Sequence, residues 1–371
     1  MDMAQSEYNK GRIAAIDWMR GIVMILMALD HASGFFNEGR IFADSILLYE
    51  AGSVFATDQF LTRWVTHICA PTFIFLAGTG IAISTIQRRA QGLSQSSIDR
   101  DILIRGAFIA LLDLFVLSLF SDKVVLQVLY AIGISMMLMV PLRRLNMRTM
   151  LVCALGILIG GEMLTVWLWD PKGDVSYLLA LTFAPSFGES ISIMYPFVPW
   201  LAMMMLGWVF GEWLMNRQQK GWSPPLLLMV GGLFALICFV LIRVNDGYGN
   251  MLMYLEGNTI VQWLHVSKYP PSLAYTTLEL GLMANILALL MWLESKIKVR
   301  RNGPVLVYGQ TALFFYLTHF CVLIGLSFVL SRDGLEQAYI GALFALVLLY
   351  PICRIYRTLK WRYPQSVLRF M

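Results

Sequence analysis

Charged residues are scarce in this chain of 371 residues. They make up 14% of it, whereas 58% of the residues are hydrophobic and the mean hydropathy is +0.68. A soluble domain of this length has about a quarter of its residues charged, so the scarcity excludes an ordinary soluble enzyme. The apolar residues also fall into blocks of about twenty residues, the length that a helix needs to cross a bilayer. The sequence therefore predicts a protein embedded in a lipid bilayer.

Cysteine and histidine are also few, with five and four residues. The sequence has no CxxC pair and no Cys/His pair at metal-ligand spacing, so we predict buried structural thiols and no metal site. It has no internal repeat and no low-complexity tract, which favours a single domain over residues 1–371. The net charge of +5 does not indicate a nucleic-acid partner, because the basic residues lie beside the apolar blocks and form no separate basic domain.

The apolar blocks predict an all-α, polytopic membrane protein of about ten helices. The first block is too long for a cleavable signal peptide, and no small-residue cleavage site follows it. The segment 175–188 is interpreted as a short re-entrant or interfacial piece. The predicted helices are 13–36, 60–86, 101–121, 124–142, 149–169, 193–215, 224–243, 272–295, 304–330 and 337–358.

Basic residues alternate between the connections, which predicts the orientation of the helices. The opposite connections have fewer basic residues and most of the loop acids, and three of them are long, at about 37–59, 170–192 and 244–271. With ten spans, both termini are predicted to lie in the cytoplasm. The basic set predicted to be cytoplasmic is Lys10, Arg12, Arg88, Arg89, Arg100, Arg143, Arg144, Arg148, Arg217, Lys220, Lys296, Lys298, Arg300, Arg301, Arg354, Arg357, Lys360, Arg362 and Arg369.

The first apolar block contains four ionisable residues, Asp17, Arg20, Asp30 and His31. An ionisable side chain inside a span costs several kcal/mol unless it is paired or hydrated, so each of these is a functional hypothesis by default. Arg20 and His31 are three helical turns apart, which places them on one face at a separation of roughly 16 Å. The structural alternatives are an Asp17–Arg20 ion pair that fixes packing and an interfacial, hydrogen-bonded His31.

The second and ninth blocks contain further histidines. His67 lies one turn after Arg63, and Pro71 is predicted to kink the helix and to free the backbone carbonyl of residue 67. A plain kink without chemistry is the alternative. His319 lies beside Tyr316 in the outer half of the ninth block. All four histidines fall in the outer half or outside it, which gives modest support to a proton-handling site there, although His265 is interpreted as an ordinary loop residue.

Five ordered motifs resemble the heparan-α-glucosaminide N-acetyltransferase-like family of membrane acyltransferases, over residues of about 12–325. A wider superfamily of transmembrane acyltransferases shares an arginine and a histidine at the spacing of Arg20 and His31. The five motifs are RIAAIDWMRGIVMILMALDH, LTRWVTHICAPTFIFLAGTG, MYPFVPWLAMMMLGWVFG, VSKYPPSLAYTTLELG and GQTALFFYLTHF.

The resemblance implies a bacterial inner-membrane enzyme that moves an acetyl or acyl group from cytoplasmic acetyl-CoA to an amine or hydroxyl of a glycan-like acceptor outside. On this reading His31 is the general base, and Asp30 orients or tunes it. Arg20 binds the donor, with Asp17 positioning its guanidinium. We assign acceptor binding to His319, Arg63 and Tyr316, and we place His67 in the catalytic set.

The sequence departs from the family at His31, since the eukaryotic lysosomal members have asparagine at the matching position and a later catalytic histidine. No histidine occurs in 32–66, so the catalytic role belongs to His31 or to His67, and we favour His31. Direct transfer and an acetyl-histidine intermediate both remain open.

The rival function is a transporter or flippase for a sugar or lipid-linked substrate, with the buried charges lining its pathway. The apolar surface is also compatible with a homodimer.

Overall fold

A computed structural model of the chain describes residues 13–217 and 223–363, together with Ser366 and Leu368. Of the predicted cytoplasmic basic set, Lys10, Arg12, Lys220 and Arg369 lie outside these residues. Most of the described chain is helical, and the prediction of an all-α, polytopic membrane protein is confirmed. The helices are α1 (Ala14–Phe36), α2 (Thr57–Trp64), α3 (Cys69–Ala90), α4 (Gln95–Phe115), α5 (Val128–Leu142), α6 (Met147–Leu168), α7 (Tyr177–Thr182), α8 (Phe197–Arg217), α9 (Pro224–Asn245), α10 (Ile260–Leu264), α11 (Leu273–Glu294), α12 (Pro304–Gln310), α13 (Ala312–Ser327) and α14 (Leu335–Arg362).

Each of the ten predicted blocks corresponds to helix in the structure. Among the described residues, seven helical segments are long and apolar enough to cross a membrane, or eight if the bent pair α12–α13 is counted as one span. The predicted helices 101–121 and 124–142 are not among these spans. The first corresponds to α4, which carries charged residues along its length, and the second to α5, which has only 15 residues. The number of ten spans and the cytoplasmic placement of the termini therefore stay predictions.

Two of the predicted helices are broken. The block 60–86 consists of α2 and α3, joined by a turn at residues 65–68, so Pro71 lies in the first turn of the second piece. The Tyr275 hydroxyl donates to the His67 carbonyl at 2.9 Å, which is the carbonyl that Pro71 was predicted to leave free. The block 304–330 is bent by 103° between α12 and α13, at Thr311. Both breaks bring irregular backbone into the interior of the protein, where side chains satisfy it.

A small three-stranded sheet lies where the sequence predicts two helix starts. It consists of β1 (Val124–Leu126), β2 (Ser186–Phe187) and β3 (Ile191–Ile193), with β3 central, parallel to β1 and antiparallel to β2. The predicted helices 124–142 and 193–215 therefore begin later, at Val128 and Phe197. Asp113 fixes the first of these starts, because its carboxylate accepts the N–H groups of Gln127 at 2.8 Å and Tyr130 at 2.6 Å.

Helix α1 lies at the centre of the bundle and packs against α3, α11, α12, α13 and α14. Its N-terminal half crosses α12 with the two backbones in contact. A Cβ atom added at Gly21 would lie 1.9 Å from the Val305 carbonyl oxygen, and one added at Gly309 would lie 1.7 Å from the Asp17 carbonyl oxygen. Only glycine permits this approach. The crossing therefore sets the position along the α1 axis at which α12 ends and α13 begins.

We expect Gly309→Ala to lower the free energy of unfolding by about 1–3 kcal/mol or more, because the new methyl group has to force two backbones apart. Gly325→Ala is the matched control, since it lies on α13 and an added Cβ there meets no atom within 4 Å. Unfolding in a mild detergent measures both variants. Equal stability of Gly309→Ala and the wild type would contradict the close crossing.

Candidate active site

The C-terminal half of α1 places His31 against α13. The Nδ1 atom of His31 lies 2.6 Å from Nε2 of His319, and the two imidazole rings are stacked with their centroids 4.9 Å apart. His319 is fully buried, whereas His31 is only half-buried. Tyr316 is edge-on to the His31 ring with centroids 6.2 Å apart, and Phe320 stacks on that ring at 4.8 Å. Three residues of the first-helix and ninth-helix predictions, His31, His319 and Tyr316, thus form one cluster.

The hydrogen bonds fix where the protons of the neutral histidine pair lie. Nδ1 of His319 is 2.5 Å from the Tyr316 carbonyl oxygen, which can only accept, so this nitrogen carries the proton. Nε2 of His319 is then the acceptor, and Nδ1 of His31 has to donate to it. The remaining nitrogen, Nε2 of His31, keeps its lone pair. The pair therefore presents an unprotonated nitrogen on the half-buried ring, which is what a general base or a nucleophile requires.

A buried network of charges lies beside the histidine pair. Asp30, the neighbour of His31, accepts from Arg63 at 2.6 Å, from Arg40 at 3.1 Å and from the Thr66 hydroxyl at 3.1 Å. Asp30 and His31 share no hydrogen bond in the described part of the chain, and the side-chain partner of His31 is His319. Arg63 is almost fully buried and pairs with a second carboxylate as well as with Asp30.

That second carboxylate is Asp44, in the connection between α1 and α2. Arg63 donates to it through Nε at 2.8 Å and through Nη2, and Nε2 of His67 lies 3.1 Å away from its other oxygen. Burial opposes ionisation of this carboxyl, but Arg63, His67 and Lys268 together outweigh it and hold its pKa well below the ordinary value. Asp44 is therefore a carboxylate at neutral pH, and it orients His67 as it does Arg63.

His67 is buried at the break between α2 and α3. A carboxylate only accepts, so Nε2 of His67 donates to Asp44, and its Nδ1 has no hydrogen-bond partner in the described residues. In the neutral tautomer that donates to Asp44, Nδ1 of His67 is the unprotonated nitrogen, but this residue is 2% exposed, whereas His31 is half-buried. Accessibility favours His31 as the group that meets a substrate. His67, with Asp44, is placed as a supporting member of the same site.

The N-terminal half of α1 holds the predicted donor-binding residues. Nη1 of Arg20 lies 3.3 Å from Asp17, and its Nη2 donates to the Leu76 carbonyl at 3.1 Å. Asp17 also accepts from Gln310 at 3.3 Å, and Gln310 in turn accepts from Arg357 at 3.0 Å. The Asp17 side chain is buried, whereas that of Arg20 is 25% exposed. The structure thus keeps the Asp17–Arg20 pair at one end of α1 and the histidine pair at the other.

Sequence reasoning missed three residues of the site, Arg40, Asp44 and Lys268. All three lie in long connections that the sequence marks only as polar loops, and Asp44 and Lys268 are nonetheless almost fully buried. His265 contributes to the burial of this connection. Its Nε2 lies 2.8 Å from the Ala43 carbonyl oxygen, and its ring packs edge-on to the Tyr49 ring with the centroids 4.6 Å apart. His265 thus folds the α1–α2 connection down onto the bundle, which agrees with the loop role predicted for it.

Two cavities lie outside this site. One of about 400 Å³ lies on α14 around Tyr350 and Arg354, and one of about 10 Å³, room for a single water, lies beside Glu162. The Glu162 carboxylate accepts the N–H groups of Met251 at 2.6 Å and Leu273 at 3.0 Å, so it is a structural cap of the α11 region. Within the described ranges, no group of three or more metal-ligating side chains occurs.

Comparison with known protein families matches residues 12–241 to the family described as heparan-alpha-glucosaminide N-acetyltransferase, catalytic. No curated protein matches the chain. The matched range contains Arg20, His31 and His67 but ends before Lys268 and His319, so the resemblance of the last two sequence motifs stays a prediction. The family implies membrane acetyltransferase activity and in general uses acetyl-CoA as the donor. Because the match covers more than half of the sequence, the chain belongs to the heparan-alpha-glucosaminide N-acetyltransferase catalytic family.

Proposed function

We propose that this protein transfers an acetyl or acyl group from cytoplasmic acyl-CoA to an amine or hydroxyl of a glycan-like acceptor on the outer side of a bacterial inner membrane. The whole chain, residues 1–371, acts as one domain with both termini in the cytoplasm. The observation that supports the proposal is the half-buried His31, whose free nitrogen is set by His319 and whose helix carries Arg20 at its other end.

In the transfer step, the acceptor nitrogen or oxygen attacks the carbonyl carbon of the thioester while Nε2 of His31 takes the acceptor's proton. The new bond to the acyl carbon forms, the C–S bond breaks, and the CoA thiolate leaves. The imidazolium of His31 then returns the proton to the thiolate, which gives CoA-SH and the acylated acceptor. An acyl-histidine route uses the same nitrogen first as nucleophile.

The other residues have supporting roles in this proposal. His319 holds the tautomer and the ring orientation of His31, and Tyr316 packs against that ring. Asp30 and Arg63 set the charge around it, with His67 held by Asp44 on the far side of Arg63. The guanidinium of Arg20, a quarter exposed near the cytoplasmic end, meets the phosphates of the donor, and Asp17 keeps it in place.

The direct test uses purified protein in lipid nanodiscs with acetyl-CoA and an amino sugar. Release of free CoA thiol that depends on the amino sugar, together with acetylated sugar detected by mass spectrometry, is the expected result. A transporter or flippase would move a sugar without releasing thiol. The proposed acyltransferase activity would be refuted if thiol release never exceeded the rate of protein-free nanodiscs over a panel of amine and hydroxyl acceptors.

We expect Arg20→Gln to raise the KM for acetyl-CoA by roughly tenfold to a hundredfold, because it removes a charge-assisted hydrogen bond to the donor. The KM for the acceptor should change little. Arg88→Gln is the matched control, since Arg88 is a cytoplasmic-end arginine that is 40% exposed and pairs with Asp101 at 3.0 Å. An unchanged KM for acetyl-CoA in Arg20→Gln, measured by thiol release, would remove Arg20 from the donor site.

A further inference from the structure

A cavity of about 400 Å³ lies along one face of α14, outside the candidate active site. The described residues that line it recur at a spacing of four, which places them on a single strip of the helix. Pro351 lies inside this helix and has no backbone N–H, so one turn of α14 lacks its usual hydrogen bond. The lining residues of this strip are Tyr350, Pro351, Arg354, Ile355, Thr358 and Leu359.

Most of this strip is apolar and exposed. Pro351 is exposed, and the exposed fractions of Ile355 and Leu359 are 62% and 41%. Helix α14 is one of the segments that are long and apolar enough to cross a membrane, so we expect the exposed aliphatic side chains along it to contact lipid. The strip therefore offers a surface on which an acyl chain can lie.

Arg354 lies in the middle of this apolar strip. Its side chain is exposed and has no hydrogen-bond or ion-pair partner among the residues that the structure describes, while its backbone carbonyl accepts from the Thr358 hydroxyl at 3.0 Å. A guanidinium always carries its charge and has five N–H donors. Beside lipid chains such a charge is unfavourable unless an anion or water reaches it. Arg354 thus presents unused donors next to a surface for an acyl chain.

The charge around the cavity is positive. The Tyr350 hydroxyl donates to the Asn302 carbonyl at 2.7 Å, so the connection between α11 and α12 lies beside the cavity. Residues 295–303 of that connection include four basic residues and no acidic one, and after Glu336 the sequence has five basic residues and no acidic one. Basic clusters at the end of a membrane helix attract anionic headgroups, so an anion is the complementary ligand. The basic residues are Lys296, Lys298, Arg300, Arg301, Arg354, Arg357, Lys360, Arg362 and Arg369.

We propose that this strip of α14 binds an anionic phospholipid, with the phosphate on the Arg354 guanidinium and one acyl chain over Ile355 and Pro351. Two parallel N–H groups of a guanidinium match two phosphate oxygens, which makes the contact more specific than attraction between charges alone. The lipid completes both parts of the site, because the phosphate supplies the missing acceptor and the chain covers the exposed aliphatic side chains. The inference is independent of the proposed function, since the strip contains no residue of the candidate active site.

Native mass spectrometry of the full chain in a mild detergent tests this site. The protein is titrated with short-chain phosphatidylglycerol, with phosphatidylcholine of the same chains, and with glycerol 3-phosphate, which has the phosphate but no chain. For the wild type we expect phosphatidylglycerol to bind at least about fivefold more tightly than phosphatidylcholine, and glycerol 3-phosphate not to bind at the same concentrations. Arg354→Gln should remove the preference, and Arg354→Lys, which keeps the charge without the planar pair of donors, should keep part of it.

Arg100→Gln is the matched control, because Arg100 is an exposed arginine of the predicted cytoplasmic set, lies on α4, and has no side-chain partner among the described residues. This variant should keep the wild-type preference, and both glutamine variants should unfold at the wild-type midpoint when no lipid is added. The proposal is overturned if Arg354→Gln binds phosphatidylglycerol as the wild type does, or if glycerol 3-phosphate or acetyl-CoA displaces the lipid at equal concentration. A dimer that forms without lipid and is lost in Arg354→Gln would assign the strip to a second copy of the chain, and would also overturn it.

Discussion

Replacement of His31 by alanine should lower the rate of acceptor-dependent thiol release by about 100- to 10,000-fold, the range that a positioned general base contributes. The reason is geometric, since His31 is the half-buried member of a pair whose other hydrogen bonds leave its Nε2 unprotonated. Protein folding should survive, because the buried partner His319 keeps its bond to the Tyr316 carbonyl. The measurement is kcat for acetyl-CoA turnover at saturating acceptor.

His31→Asn is the sharper variant. An amide at this position can donate to His319 as Nδ1 does, but it offers no basic nitrogen. We expect it to be as inactive as His31→Ala while its unfolding midpoint matches that of the wild type more closely. Normal turnover in both His31 variants, with loss of turnover in His67→Asn, would transfer the catalytic role to His67.

His319→Ala tests the positioning role within the same assay. Without His319, the His31 ring loses the partner that fixes its tautomer, so kcat should fall while the KM for acetyl-CoA stays near the wild-type value. His319→Gln keeps an acceptor oxygen and should retain part of the rate. Comparing kcat in the His319 and His31 variants distinguishes the base from the residue that orients it. A measurement of stability alone would not distinguish them.

The sequence predicts single helices better than contacts between them. Arg20 and His31 share α1, so their spacing and common face follow from helical geometry alone. The partner of His31 is 288 residues away, on a helix whose direction depends on the bend at Thr311. Nothing in the apolar block 304–330 marks that bend except the polar pair of Gln310 and Thr311, and a pattern of apolar residues does not determine which helices touch.

The irregular segments show the same limit. Pro71 correctly indicated that the His67 carbonyl needs a partner outside its helix, yet the partner, Tyr275, lies 208 residues later. The sequence predicts a helix start where the structure has the strand Val124–Leu126, because a short apolar run rich in valine fits a buried strand or a buried helix equally well. In the sequence Asp44 reads as a loop acid, because the groups that surround it, Arg63 and the backbone of Lys268, come from other segments of the chain.

Asp44→Asn should lower the free energy of unfolding by about 3–5 kcal/mol, the usual cost of removing one partner of a buried ion pair. The carboxylate accepts two nitrogens of Arg63 and one of His67, and an amide replaces none of its charge. In the variant, the cations Arg40, Arg63 and Lys268 face Asp30 alone. Asp174→Asn, at an exposed aspartate of another long connection, is the control and should stay within about 0.5 kcal/mol of the wild type.

The same carboxylate predicts how stability depends on pH. Because the folded protein holds the pKa of Asp44 below that of the unfolded chain, the unfolded state binds more protons in this range, and stability rises with pH. The contribution of Asp44 is complete above the unfolded value of about 3.9, and it is lost as the pH falls from there toward the lower folded value. Unfolding titrations between about pH 3 and 5 should therefore show a smaller slope in Asp44→Asn than in the wild type. Identical slopes, with equal stability at neutral pH, would mean that Arg63 and His67 do not depend on this carboxylate.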